Sequence, residues 1–523
     1  MNDDAPDRLY PPKVRRWLPA VALALAILYG LAVGGHWVIR PDSGVYMALG
    51  RSLADGRGME YNGKQMWGIP PLVPLLIAGC RWLAGPHAMW LINTAMSLFG
   101  IGTALAALGI ANRLPTDEGQ GTRMRAAVGT FLVVGVSARL FGDSAPVLTD
   151  VPFSFLFCLS LYSFIRGIRG HWAWCIAGSL AMVAATYTRL VSLALAPAIV
   201  AAMVLHRKPE GYRQRLVATF VGAALVAGAF LYWWFEVRSW SDPASADYGK
   251  AIAGGYLSIL SPDRWALMAK EILNTPQAVA GALVDQKLPW VNLVPTALIL
   301  AGMAVATRRR QWMVVLPVIF YVGFLVAWGG GAMAARYLLP IMPLLAYCLL
   351  AGARAAATWA ARVARSDAAT DRLPRLAVGV IVAACLAISL PKNVRTIYWA
   401  RHEKFYKHYA HGEWRGLVEA SEAIRKRDRP AADDIVATKE GSVVHYLSGL
   451  RVVVLPLWKR EGPGLGERPP KEFARVAAEG DFRFVIVPMD EPGWGAATLK
   501  EVEKTGAFLP PRQYRDMALL QRR

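Results

Sequence analysis

Residues 172–205 read "WAWCIAGSLAMVAATYTRLVSLALAPAIVAAMVL". The block is apolar throughout except for one charged residue near its middle, Arg189. As a single helix of roughly 34 residues at about 1.5 Å each, it exceeds about 50 Å, too long for a hydrocarbon core of about 30 Å. It would also bury Arg189 at mid-membrane, at a cost of about 2.5–3.5 kcal/mol or more. Two short helices with Arg189 at the turn between them remove both problems. The choice sets the sidedness of everything that follows. With two helices, "HRKPEGYRQR" (206–215) and "TRRRQ" (307–311) fall on the same side as Arg15 and Arg16. With one, "TRRRQ" crosses over, against the positive-inside rule.

The same logic extends along the chain. Of the 523 residues, 55% are hydrophobic and only 18% are charged, and the mean hydropathy is +0.32. Apolar blocks near the length that spans a bilayer recur, which predicts a polytopic helical membrane protein. The spans expected are roughly 17–39, 87–111, 126–141, 147–165, two within 172–205, 216–235, 291–306, 312–328, 337–353 and 376–390. That makes about 11, with the N-terminus inside and the C-terminus outside. The first block lacks a small-residue cleavage site and is read as a retained helix. The net charge of +21 would suit nucleic acid, but the basic residues sit in short runs between apolar blocks, as membrane topology requires. The five cysteines, Cys80, Cys158, Cys175, Cys348 and Cys385, lie in or beside apolar blocks without metal-site spacing, so no disulfide framework is expected.

The chain divides into a membrane domain, 1–390, with outer loops 40–86 and 236–290, and a soluble region, 391–523. In the latter, the short β-branched runs "RVVVLPLW" (451–458) and "FRFVIVPMD" (482–490) alternate with helical stretches such as "GEWRGLVEASEAIRKR" (412–427). They predict a small α/β domain on the outer side.

This topology gathers the unusual charges on one face. Asp42 lies in the first outer loop, in "HWVIRPDSGVYMALGRSLADG" (36–56). Asp143 and Asp150 lie in "GDSAPVLTDVPF" (142–153), between two spans. Arg189 and Arg336 sit at outer helix ends. The set could pair internally or line a cavity for a phosphorylated ligand. Each member also has a plainer reading. Asp42 could end a helix beside a Pro-Ser-Gly turn, and Thr149 or Asp150 could cap a helix. Asp143 reads as a solvated loop acid, while the arginines could snorkel to headgroups. Residues 61–76 could be an irregular lead into a helix, Pro70 and Pro71 suiting its first turn. His402, His408 and His411, in "RHEKFYKHYAHGEW" (401–414), suit a basic amphipathic surface helix better than a metal site.

Taken in order, "PDSGVYMALGRSLADG" (41–56), "GIPPLVPLL" (68–76), "LTDVPFSFLFCLSLY" (148–162) and "ARYLLPIMPLLAY" (335–347) resemble the bacterial GT-C glycosyltransferases. The nearest group is the protein-mannosyltransferase-like set that includes the lipid A aminoarabinose transferase and rhizobial lipopolysaccharide core glycosyltransferases. The resemblance covers roughly residues 17–390. It implies transfer of a sugar from a polyprenyl-phosphate carrier to a lipid, glycan or protein acceptor outside the bacterial inner membrane. It also implies a catalytic role for the first-loop acid, Asp42, and a role for the acid opening the fourth span, Asp150. A first-loop base that meets the lipid phosphate maps to Lys64. The lead here reads Pro70-Pro71-Leu72 where the family has Pro-Pro-Gly.

The chemistry converges on the same residues. A polyprenyl phosphate is a good leaving group, so the leaving oxygen needs positive charge rather than an acid; Lys64, Arg57, Arg189 and Arg336 are the candidates. The acceptor hydroxyl needs a base, assigned to Asp42, with partial burial expected to raise its pKa. Asp150 would orient, and Asp143 is the secondary acid. One-step displacement predicts inversion at the anomeric carbon. No cofactor is required, although two outer acids could hold a divalent metal. The competing readings are a polysaccharide polymerase, which should carry an arginine-rich outer loop, and a flippase for lipid-linked sugars, which should show internal repeats and mid-membrane charge.

Overall fold

The computed structural model describes residues 12–523 apart from 86–87, 115–119, 206–211, 242–261, 285–291, 329–334, 365–366, 402–413, 428–429, 432–433, 439–440, 455–457, 462–463, 468–469, 490–493 and 516. The three histidines of 401–414 and residues 242–261 and 285–290 of the outer loop 236–290 lie outside the described residues.

The chain opens with α1 (Pro12–Ala32). The first loop is not irregular: it holds α2 (Pro41–Ala54), a hairpin of β1 (Glu60–Tyr61) and β2 (Lys64–Gln65), and α3 (Leu72–Ala84). Then come α4 (Met89–Arg113), α5 (Gln120–Val136), the short α6 (Ala138–Asp143) and α7 (Asp150–Arg169). The expected span 126–141 is therefore broken at Ser137, whose hydroxyl donates to Ala282 O at 3.2 Å. The decisive block divides into α8 (Ala173–Thr186), a 3₁₀ turn (Leu190–Ala194) and α9 (Leu195–Leu205). Arg189 stands at the break in extended conformation, φ −153°.

Next are α10 (Tyr212–Phe235), α11 (Pro262–Val284), α12 (Leu293–Arg308) and α13 (Trp312–Trp328). A 3₁₀ segment (Ala335–Ile341) leads into α14 (Met342–Val363), and α15 (Asp367–Arg401) follows. Five described helices are long and apolar enough to cross a membrane: Met89–Arg113, Asp150–Ile168, Tyr212–Trp240, Ala335–Val363 and Arg372–Arg401. Shorter apolar helices accompany them, among them Leu72–Ala84, which the sequence places in a loop. Helices α12 and α14 touch backbone to backbone: a Cβ on Gly302 would lie 1.9 Å from Cys348 O, and one on Gly352 1.8 Å from Leu298 O. Without a hydrophobic drive between helices in lipid, such small-residue contacts supply the packing.

The last stretch holds α16 (Trp414–Arg427), β3 (Ile435–Thr438), α17 (Gly441–Ser448), β4 (Arg451–Val454), the pair β5 (Trp458–Glu461) and β6 (Gly464–Glu467), α18 (Pro470–Glu479), β7 (Phe484–Pro488), α19 (Trp494–Lys504), β8 (Arg512–Tyr514) and β9 (Met517–Gln521). Five of these strands form one sheet in the order β4-β3-β7-β9-β8. The pairs β3–β4 and β3–β7 are parallel, while β7–β9 and β8–β9 are antiparallel. Strand β7 is central and buried along its whole length, which fits its unbroken apolar run.

This sheet layer and the first loop share a hydrophobic core. Trp37, Met47 and Ile77 from the first loop and its flanks pack with Leu417, Val443 and Phe484. Asn62 ties the hairpin down: its Nδ2 donates to Val452 O at 2.7 Å and its Oδ1 accepts from Val452 N at 2.6 Å. Arg51 donates to Tyr446 O at 2.8 Å. Helix α2 lies directly on α17, since a Cβ on Gly44 would lie 2.8 Å from the carbonyl carbon of Ser442. That atom is backbone and cannot step aside. Gly44→Ala is therefore expected to destabilise the protein by about 1–3 kcal/mol, read as a lower thermal midpoint in detergent; an unchanged midpoint would contradict this packing.

His445 makes the same junction sensitive to pH. Its Nδ1–H donates to Leu450 O at 2.6 Å, and its Nε2 accepts from Asn62 N at 3.2 Å, an arrangement that requires the neutral ring. Tyr61 meets the ring edge to face at 4.9 Å. Burial pushes the imidazole below its ordinary value, Arg51 and Arg57 push the same way, and the Leu450 hydrogen bond opposes them. The folded state thus takes up a proton less readily than the unfolded chain. The contribution of this contact is fully present above about pH 6.5 and is lost as pH falls through the lower folded value. The wild-type thermal midpoint should fall more than that of His445→Gln between about pH 7.5 and about pH 5; parallel curves would contradict the role of this ring.

Candidate functional site

Asp42 departs from its expected setting. Helix α1 ends at Ala32, and Asp42 opens a new helix, α2, in its first turn. Pro41 at the helix start is pre-organised for that turn, and an acid there is favoured by the helix dipole. Ser43 fixes the entry: its Oγ accepts from Arg40 N at 2.9 Å, donates to Arg40 O at 2.7 Å and accepts from Trp37 Nε1 at 3.1 Å. The Asp42 side chain is 57% exposed, so the burial expected to raise its basicity is absent in this state. Its carboxylate faces Arg336 at 3.6 Å.

Asp150 is the opposite case. It starts α7, and its side chain is 6% exposed. The Arg189 guanidinium donates to its carboxylate. Neither Thr149 nor Asp150 caps the helix through a side chain; the ion pair takes the carboxylate instead. The break between α8 and α9 thus exists where an arginine must turn inward to meet a buried acid. The first loop reaches this break as well, because Leu72 N donates to Tyr187 O at 3.0 Å.

One ring joins the two ion pairs. The Arg189 guanidinium lies 5.0 Å and that of Arg336 4.7 Å from the centre of the Tyr337 ring. Arg336 also donates to Tyr337 Oη at 2.6 Å, and Tyr321 Oη donates to Tyr337 O at 2.8 Å. The four sequence candidates Asp42, Arg336, Arg189 and Asp150 therefore form one chain of contacts through Tyr337, a residue that sequence reasoning missed. Its signal was its place directly after Arg336 in "ARYLLP" (335–340).

Asp143 corrects its solvated reading. It is buried, at the end of α6, with Arg139 one helical turn earlier at 3.6 Å. Burial pushes the carboxyl above its ordinary range; Arg139, Arg40 and Arg336 pull it down, and Asp150 pushes it further up. Arg139 and Arg40 were also missed; the i,i+4 spacing of Arg139 to Asp143 was the available signal.

The two remaining basic candidates stand apart. Arg57 pairs with Asp55 at 3.1 Å and Glu60 at 3.6 Å. Lys64 is on β2, opposite Tyr61. Neither makes an ion pair or hydrogen bond with the Asp42–Asp150 chain among the described residues. Helix α11 comes close to the cluster: its C-terminal half, from Ala278 to Leu283, is buried in the main core and packs against α6 and the 335–341 segment. Among the described residues, no group of three or more His, Cys, Asp or Glu is placed to hold a metal ion. Asp150 and Asp143 each face an arginine, Arg189 and Arg139.

No family model matches the sequence, and no curated protein does. Solved structures do match. ArnT from Cupriavidus metallidurans bound to undecaprenyl phosphate superposes with a TM-score of 0.61 at 13% identity, covering 96% of this chain and 97% of that one. The archaeal oligosaccharyltransferase AglB from Archaeoglobus fulgidus, in complex with an inhibitory peptide and a dolichol-phosphate, gives 0.56 at 12% identity, covering 95% and 73%. The chain has the GT-C fold that its sequence motifs resemble.

Proposed function

We propose that this protein is a membrane glycosyltransferase that moves a sugar from a polyprenyl-phosphate carrier to a lipid, glycan or protein acceptor. The observation that carries the reading is the joining of Asp42, Arg336, Arg189 and Asp150 through Tyr337. These are groups that hydrolysis-free sugar transfer needs. The polyprenyl phosphates bound to two proteins of the same fold support the donor class.

In this reading the acceptor oxygen attacks the anomeric carbon from the face opposite the phosphate. Its proton passes to the Asp42 carboxylate. The bond from the anomeric carbon to the phosphate oxygen breaks, and the electron pair leaves with polyprenyl phosphate. No step runs through a metal. Arg336 is the phosphate partner. Its contact with Asp42 is longer than a hydrogen bond, whereas Arg189 is committed to Asp150. A donor phosphate that draws Arg336 away from Asp42 would leave the carboxylate open to the acceptor hydroxyl, so donor binding and access to the base are coupled. Asp150 and Arg189 position Tyr337 and, through it, Arg336. Lys64 and Arg57, on the first loop, remain proposed secondary contacts for the carrier.

The site faces the periplasm, with the N-terminus in the cytoplasm and the protein in the bacterial inner membrane. The arginine-rich helix ends opposite the cluster support that orientation. The test is reconstitution in proteoliposomes with a panel of polyprenyl-phosphate sugars and envelope-derived acceptors. Sugar should appear on the acceptor in step with release of polyprenyl phosphate. Arg336→Gln should raise the donor KM by about tenfold or more. Movement of intact donor across the bilayer with no transfer would replace this reading with transport.

A further inference from the structure

A second polar site lies at the opposite end of the helix bundle. There a cavity of about 500 Å³ opens between α4, α5, α12, α14 and α15. Its size falls within the range of ligand pockets. Arg123 and Arg125 enter it from the first turns of α5, and Arg308 and Arg309 from the end of α12. Arg354 and Arg362 of α14 and Arg375 of α15 complete the ring. Helix α14 starts just after the segment that carries Arg336, and at about 1.5 Å per residue Arg362 lies about 30 Å along it. The cavity is thus remote from the Asp42–Asp150 chain.

Positive-inside topology explains why arginines occur at this end. It does not explain why they converge on one cavity. Among the described residues lining it, none is acidic. The Nε of Arg123 is buried with no acceptor among the described residues. Arg354, the thirteenth residue of α14, is half-buried within the helix rather than exposed at its end. The walls beneath are apolar, with Ala111, Leu350 and Val378. Trp359 stands at the rim, 68% exposed, as aromatics do at a lipid–water boundary.

We propose that this cavity binds the phosphate head group of an anionic membrane lipid. The arginines take the phosphate by charge-assisted hydrogen bonds, and the chain lies against the apolar wall and Trp359. The inference is independent of the transfer chemistry at Asp42.

Native mass spectrometry of the full chain released from detergent micelles tests it, with phosphatidylglycerol, phosphatidylcholine or inorganic phosphate added. The wild type should retain phosphatidylglycerol at least tenfold more than phosphatidylcholine. The combined Arg123→Gln, Arg354→Gln, Arg362→Gln variant should lose that preference, while Arg475→Gln, at a distant exposed ion pair, should keep it. Retention of both lipids alike by the wild type would overturn the proposal, and this comparison needs no variant to fold. Phosphatidylglycerol retention unchanged in the triple variant would also overturn it. Thermal stabilisation by inorganic phosphate equal to that by phosphatidylglycerol would overturn the lipid assignment in favour of a small-anion site.

Discussion

Asp42→Asn is expected to lower the turnover number for sugar transfer by about 10²–10⁴-fold, the usual contribution of a positioned general base. The asparagine keeps the size of the side chain and its place in the first turn of α2. It removes the negative charge and with it the capacity to accept a proton. Because Arg336 faces Asp42 at 3.6 Å, the substitution also releases a guanidinium toward the donor phosphate. The donor KM should therefore stay level or fall while the turnover number collapses. That split distinguishes a base from a binding residue. A variant with turnover within twofold of wild type would move the base elsewhere, to Asp143 or Asp150.

The second large effect concerns the buried pair. Asp150 and Arg189 are 6% and 15% exposed, so removing either partner leaves a charge without its counter-ion in a region of low dielectric. Asp150→Ala or Arg189→Met alone should cost about 3–5 kcal/mol. The double substitution should cost clearly less than the sum, since it removes the stranded charge along with its partner. Thermal unfolding of all four forms in one detergent closes the cycle. Additive losses would mean that the two side chains contribute separately and that the break at Arg189 has another cause.

Parts of this architecture were plain in the sequence, and the reason is local. A lone arginine in an apolar run too long for one span forces a break, and α8 and α9 divide there. Acids and arginines at helix ends on one side of a topology are brought together by the bundle itself. Other parts had no local signal. Pro41, Ser43 and Gly44 are turn formers, so the helix they begin reads as loop. Pro at a first turn and an acid beside it fit a helix start equally well, and packing on α17 decides. The shared core of the first loop and the sheet layer depends on pairs such as Asn62 with Val452, separated by 390 residues, which no periodicity reports. The burial of Asp143 follows from α6 folding inward after Ser137, where apolar continuity suggests an unbroken span. Tyr337 escapes a sequence reading because an aromatic beside an arginine is ordinary in a membrane helix; only two guanidinium groups meeting on its ring make it the link between the two ion pairs.

The anomeric configuration of the product tests the role of Asp42 most directly. A polyprenyl-phosphate sugar of known configuration would be turned over by the wild type in proteoliposomes, and the first-formed linkage read by NMR. One-step displacement with Asp42 as base predicts that every linkage is inverted relative to the donor. Retention of configuration would require two displacements and a covalent or ion-paired intermediate, and would contradict the one-step transfer in which Asp42 takes the acceptor proton as the donor bond breaks.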